Sequence, residues 1–439
     1  MIRRRYSQML AAFLVVTVLG FAPAPAAAAE RLIVRTSGLL DLPVVKSVCR
    51  LVGCQVLYGL DGTLGKLSLV SIPDALAVPL VINLLETIPG VSVELDQIVR
   101  TEGAPGTQAP LALYDKEPIN YYGTMVRGGY VRQPAVEILG LLDAHRTYGV
   151  TGRGITVAVI DTGVDPHPAL KPVLLPGYDF TRNREGGAES TDVNQSTMAI
   201  LDGEPGFVNQ STMAILDQST MAILDGPDYA AFGHGTMVAG VIHLAAPRAQ
   251  ILPLKAFKAN GSGYASDVLR AIYTAVREDA EVINMSFSFS TRSRELEYAL
   301  NYATTRGVVA VASTGNNGQK INVYPAALSN VIGVASTTDW DTLSYFSNYG
   351  PTVAWIAAPG EGIVSTYPFG SYAAAWGTSF STPFAAGTAA LLVELNARIT
   401  PSQAADAQGH AVPFSAEVKK GRLNIPAALR AGRPLLRLW

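Results

Sequence analysis

Residues 155–163 read ITVAVIDTG, a largely apolar run, Ile155–Ile160, that is followed by Asp161 and a Thr-Gly turn. Further apolar runs alternate with helical patterns along the chain: Asp267–Glu278 (helix), Glu281–Met285 (strand), Glu295–Thr305 (helix) and Val308–Ala312 (strand). Continuous apolar strands separated by helices predict an α/β fold, with a parallel sheet covered by helices on both faces. Ligand sites in such sheets lie beyond the carboxyl ends of the strands, and Asp161 occupies such a position.

Length and composition limit the classes of protein to which the chain belongs. Its 439 residues are enough for about two to three domains. Hydrophobic residues make up 49% and charged residues 15%, which excludes a disordered chain. The net charge of -2 provides no overall field for a polyanion, so nucleic acid is not expected as a partner.

The N-terminal residues have the pattern of a secretory leader. Arg3–Arg5 precede an apolar run, Met9–Phe21, which is followed by the small residues of Ala22–Ala29. A permanent anchor is the alternative, but the run is shorter than the roughly 20 residues of a spanning helix. We therefore expect a signal peptide over residues 1–29, a secreted or periplasmic mature protein, and no membrane span after leader removal. The only cysteines, Cys49 and Cys54, are able to pair in such an oxidising environment.

Residues 31–100 predict a small α+β domain ahead of the parallel sheet. Strand and helix patterns follow each other as a split β-α-β unit of the ferredoxin-like type: Arg31–Thr36, Leu42–Leu51 (helix), Gln55–Tyr58, Lys66–Ser71, Asp74–Thr87 (helix) and Val91–Val99. The Pro- and Gly-rich stretch Thr101–Pro110 indicates an exposed connector. The expected divisions are therefore 30–100 for the small domain, 101–132 for the connector and the segment after it, and 133–432 for the α/β domain.

The octapeptide QSTMAILD occurs at Gln195–Asp202, Gln210–Asp217 and Gln218–Asp225. Eight residues are too few for a solenoid repeat, which needs about 20 or more. We interpret residues 194–225 as a surface insertion within the α/β domain. The identical copies suggest a recent local duplication.

Asp161 and His234 are the first candidate functional residues. Residues 161–163 read Asp-Thr-Gly, which is the signature of aspartic proteases. The mechanism of those enzymes needs a second such motif, which this chain lacks. His234 lies just ahead of a helix predicted for Met237–His243. It stands between Gly233 and Gly235, and we expect these glycines to leave its imidazole uncovered. A structural turn aspartate and a structural histidine are the alternatives for either residue taken alone. His243 follows at a spacing that matches no helical zinc pair, so no metal site is expected there.

A serine and an asparagine occupy comparable positions. The segment Gly377–Pro383 reads GTSFSTP and precedes an apolar helix predicted for Phe384–Leu392, with Pro383 at its start. Ser379 is therefore expected next to the partial positive charge of a helix N-terminus, with a plain helix cap as the alternative. The sequence STGNNG, after another apolar strand, offers the side-chain amide of Asn316.

These four motifs, in the order Asp, His, Asn and Ser, resemble those of subtilisin-like serine protease precursors, and the resemblance covers residues 31–429. It implies that Ser379 is the nucleophile and His234 its general base and later acid. It also implies that Asp161 holds the imidazole and that Asn316 donates to the oxyanion. The chemistry agrees, because a serine hydroxyl needs a base to take its proton and a carboxylate fixes the tautomer of that base. No cofactor is required for such chemistry.

The resemblance also implies substrate-binding edges and a propeptide. Two edges are implied to flank an extended substrate backbone. The first consists of Gly261, Ser262 and Gly263, and the second of Ser286, Phe287 and Ser288. Residues 30–100 resemble the family's propeptide, which assists folding and inhibits the enzyme until it is cleaved. Ala169 stands where the family often has a calcium-binding Asp, which argues against calcium at that place. Oxygen atoms for another structural calcium site are offered by Asp179, Asn183, Asp192, Asp225 and Asp228.

The function expected from the sequence is an exported serine endopeptidase that hydrolyses peptide bonds through an acyl-enzyme and is made as a self-processing zymogen. Its expected partners are protein or peptide substrates and its own propeptide, and a monomer is expected. A catalytically silent relative that only binds peptides is one alternative. An esterase or lipase is another alternative. That class typically has the motif Gly-x-Ser-x-Gly, whose second glycine is missing after Ser379.

Overall fold

The structure, a computed structural model, describes residues 30–38, 41–73, 77–101, 109–193, 215–216 and 227–434. The leader expected at residues 1–29 lies outside these ranges. Within them, no helix is both long enough and apolar enough to cross a membrane.

Strands and helices are numbered in chain order. The strands are β1 (Glu30–Thr36), β2 (Gln55–Gly59), β3 (Leu67–Ile72), β4 (Val91–Leu95), β5 (Ile98–Arg100), β6 (Pro118–Tyr121), β7 (Thr124–Arg127), β8 (Thr156–Asp161), β9 (Tyr178–Asp179), β10 (Arg184–Glu185), β11 (Ile215–Leu216), β12 (Gln250–Lys255), β13 (Ser262–Tyr264), β14 (Val282–Met285), β15 (Val309–Ser313), β16 (Val331–Thr337), β17 (Ile356–Pro359), β18 (Ile363–Tyr367) and β19 (Ser371–Ala375). The helices are α1 (Asp41–Val52), α2 (Val78–Glu86), α3 (Gly128–Val131), α4 (Pro134–Ile138), α5 (Leu141–Tyr148), α6 (His234–Ala245), α7 (Ala265–Arg277), α8 (Arg294–Thr305), α9 (Thr378–Leu395), α10 (Pro401–Gln408) and α11 (Ile425–Gly432).

The centre of the molecule is an eight-stranded sheet in the order β10-β9-β12-β8-β14-β15-β16-β17. Its strands pair in parallel except β10, which runs antiparallel to β9. Successive side chains of a strand point to opposite faces, and β8 shows what covers each face. Val157 and Val159 pack in one core with residues of α6 and α9, whereas Ala158 and Ile160 pack in the other with residues of α7 and α8. The expected α/β fold, with a parallel sheet covered on both faces, is confirmed.

Residues 30–95 form a separate antiparallel sheet in the order β2-β3-β1-β4. Apolar residues of α1 and α2 pack against this sheet in a core of their own, and Cys49 and Cys54 lie in that core as a disulfide. The predicted strand Val91–Val99 is wrong in its extent, because β4 ends at Leu95 and a second strand, β5, begins at Ile98.

The two sheets are joined where carboxylates of the small domain meet the first turns of α7 and α8. Asp96 accepts hydrogen bonds from the backbone N–H of Ser266 at 2.8 Å and from its hydroxyl at 2.9 Å. Glu94 accepts from the N–H of Arg294 and the hydroxyl of Ser293, both at 2.7 Å. Since a helix N-terminus has unsatisfied N–H groups and a partial positive charge, each carboxylate caps a helix of the other domain.

The QSTMAILD repeats lie outside the described residues, except Ile215 and Leu216 of the second copy. These two residues form β11, which pairs antiparallel with Ala373 and Ala374 of β19. β19 also pairs with β18, so the insertion adds a third strand to a small sheet.

We expect that deletion of Gln210–Asp217 leaves the folding of the chain, and the hydrolytic activity expected from its sequence, nearly intact. The next copy, Gln218–Asp225, has the same sequence and would offer the same apolar pair to β19, and loop length affects stability only logarithmically. The thermal unfolding midpoint and the turnover of the deletion variant would be compared with those of the full chain. Deletion of residues 194–225, which removes every copy, is the matched control. Loss of most turnover in a folded single-copy deletion would show that the insertion shapes the site.

Candidate active site

Asp161 and His234 form a buried hydrogen-bonded pair at the carboxyl edge of the central sheet. Asp161 ends β8, and its Oδ1 lies 2.7 Å from Nδ1 of His234. The N–H of Thr162 donates to the same oxygen at 2.7 Å. Asp161 is 0% and His234 2% exposed. A carboxylate in this position keeps the proton of a neutral imidazole on Nδ1, so that Nε2 is the proton acceptor.

His234 reaches Asp161 because the first turn of α6 approaches the end of β8 closely. The helix begins at His234 itself, not at Met237 as the sequence predicted. A Cβ at Gly235 would lie 2.1 Å from the carbonyl oxygen of Gly163, so a larger residue would push the helix away. The expectation that glycine leaves the imidazole uncovered is therefore wrong, since the ring is buried and Gly235 serves close packing.

Ser379 lies in the first turn of α9, which begins at Thr378 and not at Phe384. Pro383 is consequently inside the helix, contrary to the prediction that it starts one. Proline has no N–H to donate to the carbonyl four residues earlier, which is that of Ser379. This carbonyl instead accepts from the hydroxyl of Ser286 at 2.8 Å, and Ser379 Oγ donates to the Ser286 carbonyl at 3.1 Å. Ser286 thus fixes the turn that carries the serine.

His234 Nε2 has no hydrogen-bond partner in the described part of the chain. Its ring lies 5.4 Å from that of Phe380, the residue after Ser379. The structure therefore brings the histidine to the helical turn that carries the serine, without a hydrogen bond from Ser379 to Nε2. Such bonds are often long or poorly aligned without a bound substrate and shorten in the substrate complex.

Asn316 is attached to the same helix start. Its Oδ1 accepts from the N–H of Thr378 at 2.9 Å and from the Thr378 hydroxyl at 3.0 Å. The side-chain nitrogen, which only donates, is the other end of the amide. The orientation of this donor next to Ser379 is therefore set by Thr378.

The last strand of the small domain lies along the first of the two edges implied for substrate. β5 pairs antiparallel with β13, with Arg100 opposite Ser262, Val99 opposite Gly263 and Ile98 opposite Tyr264. The next residue, Thr101, donates its N–H to the carbonyl of Gly261 at 2.9 Å. Gly261 has a φ of +78°, and a Cβ there would lie 2.8 Å from Thr101 Oγ1, so glycine permits this approach.

The three residues of the second implied edge have different surroundings. Ser288 forms an antiparallel bridge with Arg100, which therefore pairs with both edges. Ser286 forms no such bridge with Arg100, and its hydroxyl and carbonyl bond to Ser379. Phe287 is 1% exposed, and its ring lies 4.9 Å from that of Phe257, so this side chain is part of the apolar core.

Two buried charged residues near the Asp161–His234 pair belong to no sequence motif. Lys255, at the end of β12, is 0% exposed and donates to the carbonyl of Thr162 at 2.5 Å and to Asp192 at 2.8 Å. Glu189 is 1% exposed and bonds to Thr162 and to the first turn of α6. The position of its strand next to β8 is the one signal by which Lys255 could have been predicted as part of the site. No feature of the sequence around Glu189 indicates a role at the site.

Three of the five residues considered for structural calcium accept hydrogen bonds from arginine or lysine side chains: Asp179, Asn183 and Asp192. These cations occupy the oxygen atoms that a calcium ion would need. Asp225 lies outside the described residues. Within the described ranges, no group of three or more His, Cys, Asp or Glu side chains is placed to hold a metal.

A model of the subtilase family matches residues 152–425, a range that contains Asp161, His234, Asn316 and Ser379. A protein named thermophilic serine proteinase, from Bacillus sp. strain AK1, is 38% identical over 240 residues, which cover 54% of this chain and 52% of that protein. Thermitase from Thermoactinomyces vulgaris is 35% identical over 252 residues, which cover 55% of this chain and 75% of thermitase. The match thus spans about half the length of the Bacillus proteinase.

Two solved structures are also similar. Fervidolysin from Fervidobacterium pennivorans, a keratinolytic enzyme related to subtilisin, has a TM-score of 0.69 at 22% identity and matches 93% of this chain and 62% of its own. A protease from Pseudoalteromonas arctica has a TM-score of 0.54 at 26% identity and matches 67% of this chain and 94% of its own. At 22% identity, the first similarity concerns the fold alone.

Ser379 is expected to react covalently with a fluorophosphonate probe, because the buried Asp161–His234 pair provides a base for its hydroxyl. Labelling should be lost in Ser379→Ala and His234→Ala, and slowed in Asp161→Asn, which favours the wrong tautomer. Peptide mapping of the labelled chain measures this. Ser381→Ala removes a buried hydroxyl from the same helix and should label at the normal rate. Labelling of Ser379→Ala at Ser381 would contradict the assignment.

Proposed function

This chain belongs to the subtilase family, and from that premise we propose that it is an exported serine endopeptidase, which hydrolyses peptide bonds through an acyl-enzyme and is made as a self-processing zymogen. The observation that carries the proposal is the buried Asp161–His234 pair beside the helical turn of Ser379. No cofactor enters the chemistry.

In the proposed reaction, Ser379 Oγ attacks the carbonyl carbon of the scissile bond while its proton passes to His234 Nε2. Asp161 stabilises the imidazolium that forms and stays ionised itself. The imidazolium then gives the proton to the leaving amine, so that the carbon–nitrogen bond breaks and an ester with Ser379 remains. Water, activated by the same histidine, hydrolyses this ester and restores the serine.

Asn316 is the proposed donor to the oxyanion of the tetrahedral intermediate. Thr378 holds the amide oxygen, which supports a fixed orientation of the amide nitrogen. The loss of one such donor costs about 3–4 kcal/mol of transition-state stabilisation, a value known from the corresponding asparagine of subtilisin itself. The N-terminus of α9 adds a favourable partial charge.

An extended peptide is the substrate class that the two edges favour. The residues proposed for substrate binding are Gly261, Ser262, Gly263, Ser286, Phe287 and Ser288. Arg100 already pairs with both Ser262 and Ser288, the arrangement that a substrate backbone would copy by β-augmentation. An esterase needs no such edges.

The proposed activity is tested with internally quenched peptides. Losses of several powers of ten in kcat are expected for Ser379→Ala or His234→Ala, and a smaller but heavy loss for Asp161→Asn, the pattern known from subtilisin. Because general-base catalysis needs the neutral form of the base, kcat/KM should be lower in acid than at neutral pH. Normal turnover by Ser379→Ala would overturn the proposal. Probe labelling without any peptide turnover would favour an esterase.

Residues 30–100 are proposed to be a propeptide that remains as an inhibitor after cleavage. Three features support this: β5 lies on a substrate edge, Asp96 and Glu94 cap helices of the α/β domain, and the disulfide of Cys49 and Cys54 belongs to this unit alone. Tethering gives the tail a high effective concentration at the site, which favours cleavage of the chain by itself. The proposed mature enzyme is a monomer, secreted or periplasmic, without a membrane span.

Processing by the chain itself predicts different N-termini for wild type and Ser379→Ala. The variant should accumulate as a precursor that begins near Glu30. The wild type should yield a cysteine-free chain that begins between about Arg100 and Tyr130, a window set by the usual error of boundary predictions. Intact-mass analysis of both exported proteins measures this. Identical N-termini would mean that another protease does the processing, or that residues 30–100 are not a propeptide.

A further inference from the structure

We propose that Glu189 is a positioning residue of this active site, which holds Asp161 and His234 in contact through Thr162 and the first turn of α6. The proposal rests on the proposed function, since the pair it positions is that of the serine protease mechanism. It assigns a role to a side chain that belongs to none of the motifs.

Glu189 is bonded at both oxygens. Its Oε1 accepts the N–H of Gly235 at 2.9 Å and contacts the hydroxyl of Thr162. Its Oε2 accepts the hydroxyl of Thr236 at 2.6 Å and, more weakly, the N–H of Thr236 at 3.4 Å. With 1% exposure, the carboxyl group exchanges none of these partners for water.

These partners are the chain neighbours of the catalytic pair. Thr162 follows Asp161, and Gly235 and Thr236 follow His234. The Thr162 hydroxyl lies 3.2 Å from Asp161 Oδ1, the oxygen that His234 contacts, and accepts from Gly235 N–H at 3.0 Å. Glu189 therefore closes a ring of hydrogen bonds around the 2.7 Å contact between Asp161 and His234.

The charges around Glu189 favour its neutral form. Burial and the negative charges of Asp165 and Asp161 raise the pKa of Glu189 to about 8. Burial also raises the pKa of Asp165, which lies beside it. His234 faces the network from α6, and Lys255 on β12 bonds to the Thr162 carbonyl on the far side of the turn.

Protonation decides how Thr162 uses its one hydroxyl proton. A neutral Glu189 donates its own proton to Thr162 Oγ1, which leaves the threonine proton for Asp161. An ionised Glu189 accepts only and draws the threonine proton away, so that Asp161 loses a donor. The hydroxyl of Thr236, which accepts from Asp165 N–H at 2.9 Å, donates to Glu189 in either state.

Replacement of Glu189 by Ala and by Gln tests the proposal. In Glu189→Ala the buried hydroxyl of Thr236 loses its acceptor, and the N–H of Gly235 keeps only Thr162 Oγ1. We expect kcat to fall about ten- to a hundredfold with KM nearly unchanged, which is the effect of a small misplacement of catalytic groups. Glu189→Gln keeps an acceptor for Thr236 and a donor for Thr162, while the N–H of Gly235 keeps Thr162 Oγ1 as its acceptor, so this variant should recover most of that loss. Glu394→Gln, which alters a carboxylate that accepts the N–H groups of Thr151 and Gly152, is the matched control and should be normal.

The pH dependence separates positioning from mere support of the fold. The kcat of the wild type should decline above about pH 8 as Glu189 ionises, and Glu189→Gln should lack this decline. All rates are divided by the concentration of sites that react with a fluorophosphonate, so a partly unfolded sample does not mimic a slow enzyme. If Glu189→Ala does not fold, the pH profile of Glu189→Gln decides alone.

Two results would overturn the proposal: unchanged kcat per labelled site in Glu189→Ala, or an alkaline decline in Glu189→Gln equal to that of the wild type. A readout that needs no turnover keeps this test apart from the proposed function. The low-field proton resonance of His234 Nδ1 reports its hydrogen bond to Asp161, and it should move or broaden in Glu189→Ala but not in Glu394→Gln. An inactive wild type in which this shift occurs would refute the function and leave the positioning role in place.

Discussion

A carboxylate buried at the end of a central strand is the constraint on which the rest of the site depends. Asp161 is 0% exposed, and a buried charge is costly unless donors surround it. His234 and the N–H and hydroxyl of Thr162 all lie within hydrogen-bond distance of its Oδ1. Lys255, on the neighbouring strand, adds a positive charge at the Thr162 carbonyl. His234 is the one of these donors that lies on α6, and it reaches Asp161 because α6 approaches the end of β8 closely.

The strands of the sheet follow from the sequence, as do the starts of α7 and α8 to within about two residues, whereas the starts of α6 and α9 do not. The runs Ile155–Ile160, Glu281–Met285 and Val308–Ala312 match β8, β14 and β15 to within about a residue, because a strand buried on both faces admits little but apolar residues. The starts of α6 and α9 were predicted too late, since these helices begin at His234 and Thr378. Glycine and proline indicate breaks when read locally, but in α9 the carbonyl that Pro383 leaves unpaired accepts a hydrogen bond from Ser286.

Contacts between distant segments account for the other features that the sequence does not reveal. Asp96, which separates β4 from β5, has its partner Ser266 170 residues away, so the cause of the break lies outside the stretch Val91–Val99. Glu189 and Gly235 are 46 residues apart and stand on either side of the insertion. Motifs report on side chains that must be near each other in sequence. A buried acceptor that serves two separate segments leaves no such trace, although Glu189 bonds to chain neighbours of both Asp161 and His234.

Unsatisfied N–H groups at helix starts serve both the chemistry and the contact between the domains. The first N–H groups of α7 and α8 are capped by Asp96 and Glu94, whereas those of α6 are capped by Glu189. Departure of the small domain would expose the starts of α7 and α8 to water, which replaces a lost cap at low cost. Removal of Glu189 would leave the N–H and the hydroxyl of Thr236 buried and without this acceptor, which costs about 1–3 kcal/mol for each group. A carboxylate that caps a helix therefore makes a separable interface where water reaches the helix start after separation. The same bond makes a permanent contact where the helix start stays buried.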